Sequence, residues 1–192
     1  MYKEGAIRRL VLTVTLFLLL AVLLVFVADF GRGLLRERRE RAVYGTVLSC
    51  GAAFGVSPAM ILAVIRMESD FKPDAVSPVG AAGLMQLLPD TFRYLREEHL
   101  FEDLPDEAIF EREVNVRYGT YYLSYLFERF GSWPLALAAY NAGEGRVSAW
   151  LRDPALFDGE RLITIPYAET ANYVEGALAA YRDYLEKYNF KE

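Results

Sequence analysis

Residues 10 to 28, LVLTVTLFLLLAVLLVFVA, run for 19 positions without a charge, a proline or a glycine. At about 1.5 Å of rise per residue, a helix of this length covers most of a ~30 Å hydrocarbon core. The buried helix of a soluble protein rarely lacks a polar face, and this stretch offers none, so a membrane segment is the expectation. A cleaved signal peptide is the competitor, but its apolar region is usually only about 7–15 residues long and ends in a small-x-small site. Phe26-Val27-Ala28 puts a bulky residue where a small one is needed. The segment is therefore expected to remain as an uncleaved anchor over residues 1–29.

Residues 30–42 mix both charge signs and are expected to continue as a solvated helical stalk, with contact to anionic headgroups as the alternative. The remaining 150 positions, 43–192, suffice for one sizeable core. The chain is 54% apolar, with 13 Tyr and 12 Phe, which excludes disorder. Eight of the 21 basic and four of the 26 acidic residues precede Val43, so the domain carries 13 against 22, a net charge of about −9. A domain this acidic is a poor partner for nucleic acid, whose affinity comes largely from phosphate neutralisation. Cys50 is the only cysteine, which rules out an internal disulfide; a buried thiol is expected there. His99 is the only histidine and sits beside Glu97 and Glu98, so an exposed loop or helix end is expected, and no cluster has metal-ligand spacing.

The domain reads as helices throughout. Val43 to Phe54 ends on Gly55; a second helix opens at Ser57-Pro58, with serine as N-cap and proline at the first position. Further helices are expected over Asp90–Glu98, Glu113–Phe130 with Gly131 as its stop, Pro134–Asn141, Gly145–Arg152 and Tyr167–Tyr188. Leu162 to Ile165 is a possible short extended piece. The class is all-α.

In the second of these helices Ile61, Val64, Ile65 and Glu68 share one face at i, i+3, i+4, i+7. A carboxyl carried to the end of an apolar face loses hydration, which favours its protonated form and raises its pKa, as a general acid near neutral pH requires. Most glutamates near a helix C-terminus are solvated, and periodicity alone favours that reading here. Downstream, Gly80-Ala81-Ala82-Gly83 leads into Leu84-Met85-Gln86 and permits a tight backbone able to approach a ligand closely, or an ordinary turn between helices.

ESDF (68–71), AVSPVGAAGLMQLLP (75–89), NVRYGTYYLSYL (115–126), ALAAYNAGEGRV (136–147) and IPYAETANYV (165–174) occur in this order. Together they resemble the lytic transglycosylases of the soluble-transglycosylase (SLT) type, goose-lysozyme-like enzymes that cleave bacterial peptidoglycan. The resemblance spans residues 45 to 188. It implies a lysozyme-like helical domain preceded by one transmembrane helix, and glycan strands of peptidoglycan as the substrate. It implies Glu68 as the single catalytic acid and base, and a 1,6-anhydro product formed without water. Ser69, Ser77, Met85, Gln86, Tyr140, Asn141, Glu169 and Tyr173 carry over as substrate-binding or cleft residues; no metal or cofactor is implied. Without the resemblance, Tyr173 and Met85 read as core, Glu169 as a first-turn acid and Asn141 as an ordinary C-terminal residue. Asp70, Asp74, Glu144 and Glu169 are the candidates for a second carboxylate. A hydrolytic goose-type lysozyme and a non-catalytic glycan-binding envelope protein are the alternatives.

The enzyme reading places the catalytic domain on the periplasmic or extracellular side of a single-pass anchor. Lys3, Arg8 and Arg9 precede the apolar run, whereas Arg32, Arg36, Arg38, Arg39 and Arg41 come after it, a bias that by itself points the other way. The margin is small and large domains translocate largely regardless of charge, so the enzyme reading sets the expected orientation.

Overall fold

The computed structural model of the protein describes residues 2–160 and 162–190, with side chains described from residue 12 onward. The expected domain limits at Met1 and Glu192, and the side chains of Lys3, Arg8 and Arg9, lie outside what is described. Helix α1 runs Tyr2–Phe54 and ends on Gly55 at φ +67°. The chain divides into two units after Arg39. In the first unit, the aliphatic and phenylalanine side chains from Leu12 to Phe30 are at least half exposed. Among the described residues this is the one stretch long and apolar enough to cross a membrane.

The second unit starts at Glu40. It holds the end of α1 with α2 (Pro58–Ser69), α3 (Pro89–Leu95), α4 (Arg112–Phe130), α5 (Trp133–Ala142), α6 (Glu144–Trp150) and α7 (Ala168–Tyr188). Among the described residues there is no strand. The extended piece expected at Leu162 to Ile165 reduces to a single bridge between Phe157 and Leu162.

Helix α5 is the hub. Its small residues Ala136, Ala138 and Ala139 are fully buried and let α4, α6 and α7 approach closely, while α2 packs along α7. Helix α2 is buried on every side from Ala59 to Ile65 rather than on one face, because α7 and the end of α1 cover what periodicity alone left to solvent. Pro58 occupies the first helical position as expected, but the Ser57 hydroxyl makes no cap bond and is buried without a partner. The helix stops at Ser69, where Asp70 and Phe71 turn left-handed (φ +49° and +61°) and Phe71 inserts into the core.

Helix α3 ends earlier than expected, at Leu95, and a π-helical turn comes next over Arg96–Leu100. That turn carries His99 into a nest of tyrosines: its Nδ1 lies 3.0 Å from the Tyr121 hydroxyl, and its ring meets Tyr94 and Tyr125. His99 thus stands at a helix end, one of the two expected places, but half-buried rather than exposed. Cys50 is buried and free, as expected.

One charge of the stretch read as solvated lies in the core. The Glu40 carboxylate is 2% exposed and accepts hydrogen bonds from Lys187 Nζ (2.5 Å), the Tyr184 hydroxyl (3.2 Å) and the Tyr188 hydroxyl. Burial, together with the Glu40 charge, pushes both tyrosines' pKa values up. Removing the carboxylate leaves an ammonium and two hydroxyls without their acceptor. Glu40→Ala is expected to destabilise the fold by about 2 kcal/mol, below the about 3–5 kcal/mol of a fully buried pair because Lys187 remains 43% exposed. Urea unfolding of the two proteins checks this; an unchanged midpoint would contradict it.

Candidate active site

Glu68 is the penultimate residue of α2, and the packing of α2 along α7 sets it against Tyr173. The Tyr173 hydroxyl donates to Glu68 Oε1 at 2.7 Å. Burial raises the Glu68 pKa from 4.5 to about 7, against the smaller opposing effect of that hydrogen bond. Tyr173 is itself 8% exposed, and burial beside the Glu68 charge holds its hydroxyl protonated. A carboxylic acid half-ionised near neutrality, fixed by a neutral phenol, can both give and take a proton at working pH.

The loop between α2 and α3 faces this acid, and three side chains pin its backbone. Ser69 Oγ donates to the Leu84 carbonyl (2.8 Å), Met85 N–H donates to Asn115 Oδ1 (2.7 Å), and the Tyr140 hydroxyl donates to the Met85 carbonyl (2.7 Å). Asn115, fully buried on α4, also donates its amide N–H groups to the carbonyls of Ala82 (3.0 Å) and Ile109 (2.7 Å). Gly83 packs directly on this amide with φ +79°. Gln86, left-handed at φ +47°, closes the loop by donating Nε2 to the carbonyls of Ala75 and Gly83, both at 2.9 Å. The Gly-containing stretch is therefore a tight, bridged turn: Ala82 pairs with both Val76 and Leu87.

A cavity of about 220 Å³ opens on Glu68 and is lined also by Ser77, Gln86, Tyr140, Asn141 and Glu169. It joins a second, of about 340 Å³, through the shared walls Val79, Gln86, Leu88, Tyr140 and Asn141. Ser77 Oγ accepts from Ala81 N–H, and Asn141 Oδ1 accepts from the Thr170 hydroxyl (2.8 Å). Six of the nine expected residues thus surround one space, and Tyr173 backs it.

Ser69 and Met85 require correction. The Ser69 side chain is buried and bonded to backbone carbonyls, and the Met85 side chain is fully buried against Gly119. Both support the loop from behind instead of facing the cleft. Asn115 lies in the third motif but drew no role from sequence, since one polar residue within a helical pattern does not reveal its distant partners. Of the candidate second carboxylates, Glu169 lines the Glu68 cavity, whereas Glu144 faces Arg129 and Tyr125.

A larger groove of about 640 Å³ lies between α1 and α4 around Cys50 and Arg117. Its arginine is paired with Glu102, burial keeps its thiol protonated, and none of the nine expected site residues lines it. Among the described residues, no three His, Cys, Asp or Glu side chains cluster as a metal ion requires.

Residues 47–163 match the family model of the transglycosylase SLT domain. The chain is 39% identical over 128 residues to the soluble lytic murein transglycosylase of Salmonella typhimurium, covering 65% of this chain and 20% of that protein. It is 34% identical over 121 residues to the membrane-bound lytic murein transglycosylase C of Actinobacillus pleuropneumoniae, covering 58% and 33%. Among solved structures, an inactive mutant of lytic transglycosylase Slt from Pseudomonas aeruginosa superposes with a TM-score of 0.69 at 35% identity, over 77% of this chain and 24% of that one. The 70-kDa soluble lytic transglycosylase in complex with bulgecin A gives 0.70 at 30% identity, over 82% and 26%. The chain spans about a fifth of the length of the soluble relatives it matches.

Proposed function

Because the chain belongs to the transglycosylase SLT domain family, we propose that residues 43–192 form a peptidoglycan lytic transglycosylase domain with Glu68 as its one acid and base. The observation that carries this reading is the Glu68 carboxyl, opening on a cavity with its pKa raised to about 7. Protonated Glu68 gives its proton to the oxygen linking N-acetylmuramic acid to N-acetylglucosamine, and the bond from that oxygen to the muramic acid anomeric carbon breaks. Positive charge develops at the anomeric carbon, beside the now ionised Glu68 and the dipoles of the cleft. Glu68 then takes the proton of the muramic acid C6 hydroxyl while that oxygen bonds to the anomeric carbon. The products together have the composition of the substrate, with a 1,6-anhydro end and no water consumed. Tyr173 fixes the carboxyl through both protonation states, since its hydroxyl donates to either.

A hydrolytic reading draws support from one observation: Glu169 lines the same cavity and offers a second carboxylate. It differs by admitting water to the anomeric carbon.

Residues 1–29 are proposed as a single-pass anchor and 30–42 as a stalk whose last residues, from Glu40, are built into the domain, holding it on the periplasmic or extracellular face of the cell membrane. The exposed apolar helix surface supports anchoring, and the sidedness is set by where peptidoglycan lies. Incubating the full-length protein with purified sacculi is expected to release soluble muropeptides. A reporter fused after Glu192 is expected to be active only outside the cytoplasm. Intact sacculi would remove the enzyme reading, and a reporter active in the cytoplasm would remove the envelope assignment.

A further inference from the structure

Residues 29–39, between the apolar run and Glu40, carry four arginines, Arg32, Arg36, Arg38 and Arg39, against Asp29 and Glu37. Phe30, Leu34 and Leu35 are set among them, and all three are more than half exposed on α1. A helix meant only for water has no use for three bulky apolar side chains on its surface. Arg32 pairs with Asp29 and is still 71% exposed, and Arg38 is exposed as well. At about 100° per residue, Arg32, Arg36 and Arg39 form one file along the helix while Arg38 points about 100° or more away from it. The charge therefore rings the helix instead of marking one side.

Depth explains the mixture. Counted from Leu10, a ~30 Å hydrocarbon core is crossed in about 20 residues, which brings the helix to Asp29 and Phe30. The headgroup layer beyond is about 5–8 Å deep, roughly four or five residues of helix, and takes in Arg32, Leu34 and Leu35. Arg36, Arg38 and Arg39 emerge at its outer edge, and their long side chains can reach back to it. Apolar side chains turned toward the acyl chains, with guanidinium groups level with the phosphates, are the pattern of a helix at an interface. A guanidinium matches phosphate oxygens two at a time, and every cation of the stretch is an arginine.

Two charge arguments favour lipid as the anion. The domain from Val43 carries about −9 and is repelled by an anionic surface, so electrostatic attraction to the membrane on that side falls to this stretch. In the proposed orientation the four arginines also cross the membrane against the usual charge bias, a cost that a role on the far side explains.

We propose that Arg32, Arg36, Arg38 and Arg39 form a collar that binds the phosphate groups of anionic phospholipids in the leaflet from which the domain emerges, with Phe30, Leu34 and Leu35 dipping into the layer between them. This rests on the anchor reading of residues 1–29 and gives the stalk a task beyond spacing: its base is tied to the headgroups.

Lipid selectivity tests the collar directly. The full-length protein is reconstituted in phosphatidylcholine vesicles. Electron spin resonance then compares phosphatidylglycerol with phosphatidylcholine, each spin-labelled on an acyl chain, for the motionally restricted positions around the protein. Phosphatidylglycerol is expected to be preferred by about threefold, one arginine's attraction for an anionic surface averaged over the whole perimeter. Arg32→Gln, Arg36→Gln, Arg38→Gln and Arg39→Gln together should abolish most of that preference, since glutamine removes the charge and keeps the helix propensity. A preference that survives the four substitutions comes from Lys3, Arg8 and Arg9, ahead of the apolar run, and overturns the collar. Equal occupancy by the two lipids overturns the collar and leaves the anchor standing. Absence of any restricted lipid overturns the anchor reading, and the collar with it.

Discussion

Glu68→Gln is expected to lower turnover of peptidoglycan by about a thousandfold or more, the effect of removing the group proposed as acid in one step and base in the next. The amide keeps the shape of the side chain and can still accept the Tyr173 hydrogen bond, so the loss isolates proton transfer. The wild-type rate should fall as pH rises through about 7, where burial sets the Glu68 pKa, because the first step uses the protonated form. A rate that keeps rising into alkaline pH would contradict the assignment.

The same substitution should stabilise the fold while inactivating it. A carboxyl near pKa 4.5 in the unfolded chain and near 7 in the folded one makes the native state hold the extra proton between those values. Stability therefore declines as pH rises through that window, and the cost of burying the charge is fully present above it. Glu68→Gln removes this cost. Its advantage over wild type should be absent below about pH 4 and reach about 2 kcal/mol at pH 8, allowing for partial exposure of the carboxyl. Urea unfolding at the two pH values measures it, and a constant difference between them would count against the buried acid.

Gly83→Ala is expected to cause the largest loss of stability, about 3–5 kcal/mol, combining left-handed strain with overpacking. Gly83 has φ +79°, and a Cβ there would lie 2.3 Å from Asn115 Nδ2. Asn115 cannot step aside cheaply, because its amide joins Met85, Ala82 and Ile109. Any shift would release the turn that presents Gln86 to the cleft, so activity should fall with stability. Denaturant unfolding with parallel assays of muropeptide release checks both; wild-type values for the two would show that the turn tolerates another path.

Where the chain announces its own breaks, it is legible from sequence. Gly55, Pro58, Gly131 and Gly143 mark helix ends through backbone preferences that need no tertiary partner, and each stands at or beside an observed boundary. Glu68 is legible through its motif, which outweighs the solvated reading that a glutamate at a helix end would otherwise receive. Asn115 and Glu40 are not. Glu40 sits among arginines and glutamates that look uniformly solvated, and its partner Tyr184 lies 144 residues further on. Ser69 and Met85 show the converse limit: a motif marks residues that build a site without separating those that face the ligand from those that brace the loop.

The proposed mechanism, one carboxyl performing both proton transfers with the C6 hydroxyl as nucleophile, leaves a mark in the product. The deciding measurement is mass spectrometry of muropeptides released from sacculi by the full-length protein in oxygen-18-labelled water. Muramic acid ends lighter by one water than hydrolysed ends, and free of label, are expected. Ends of hydrolysed mass carrying one labelled oxygen would refute the single-acid mechanism and give Glu169 the second role.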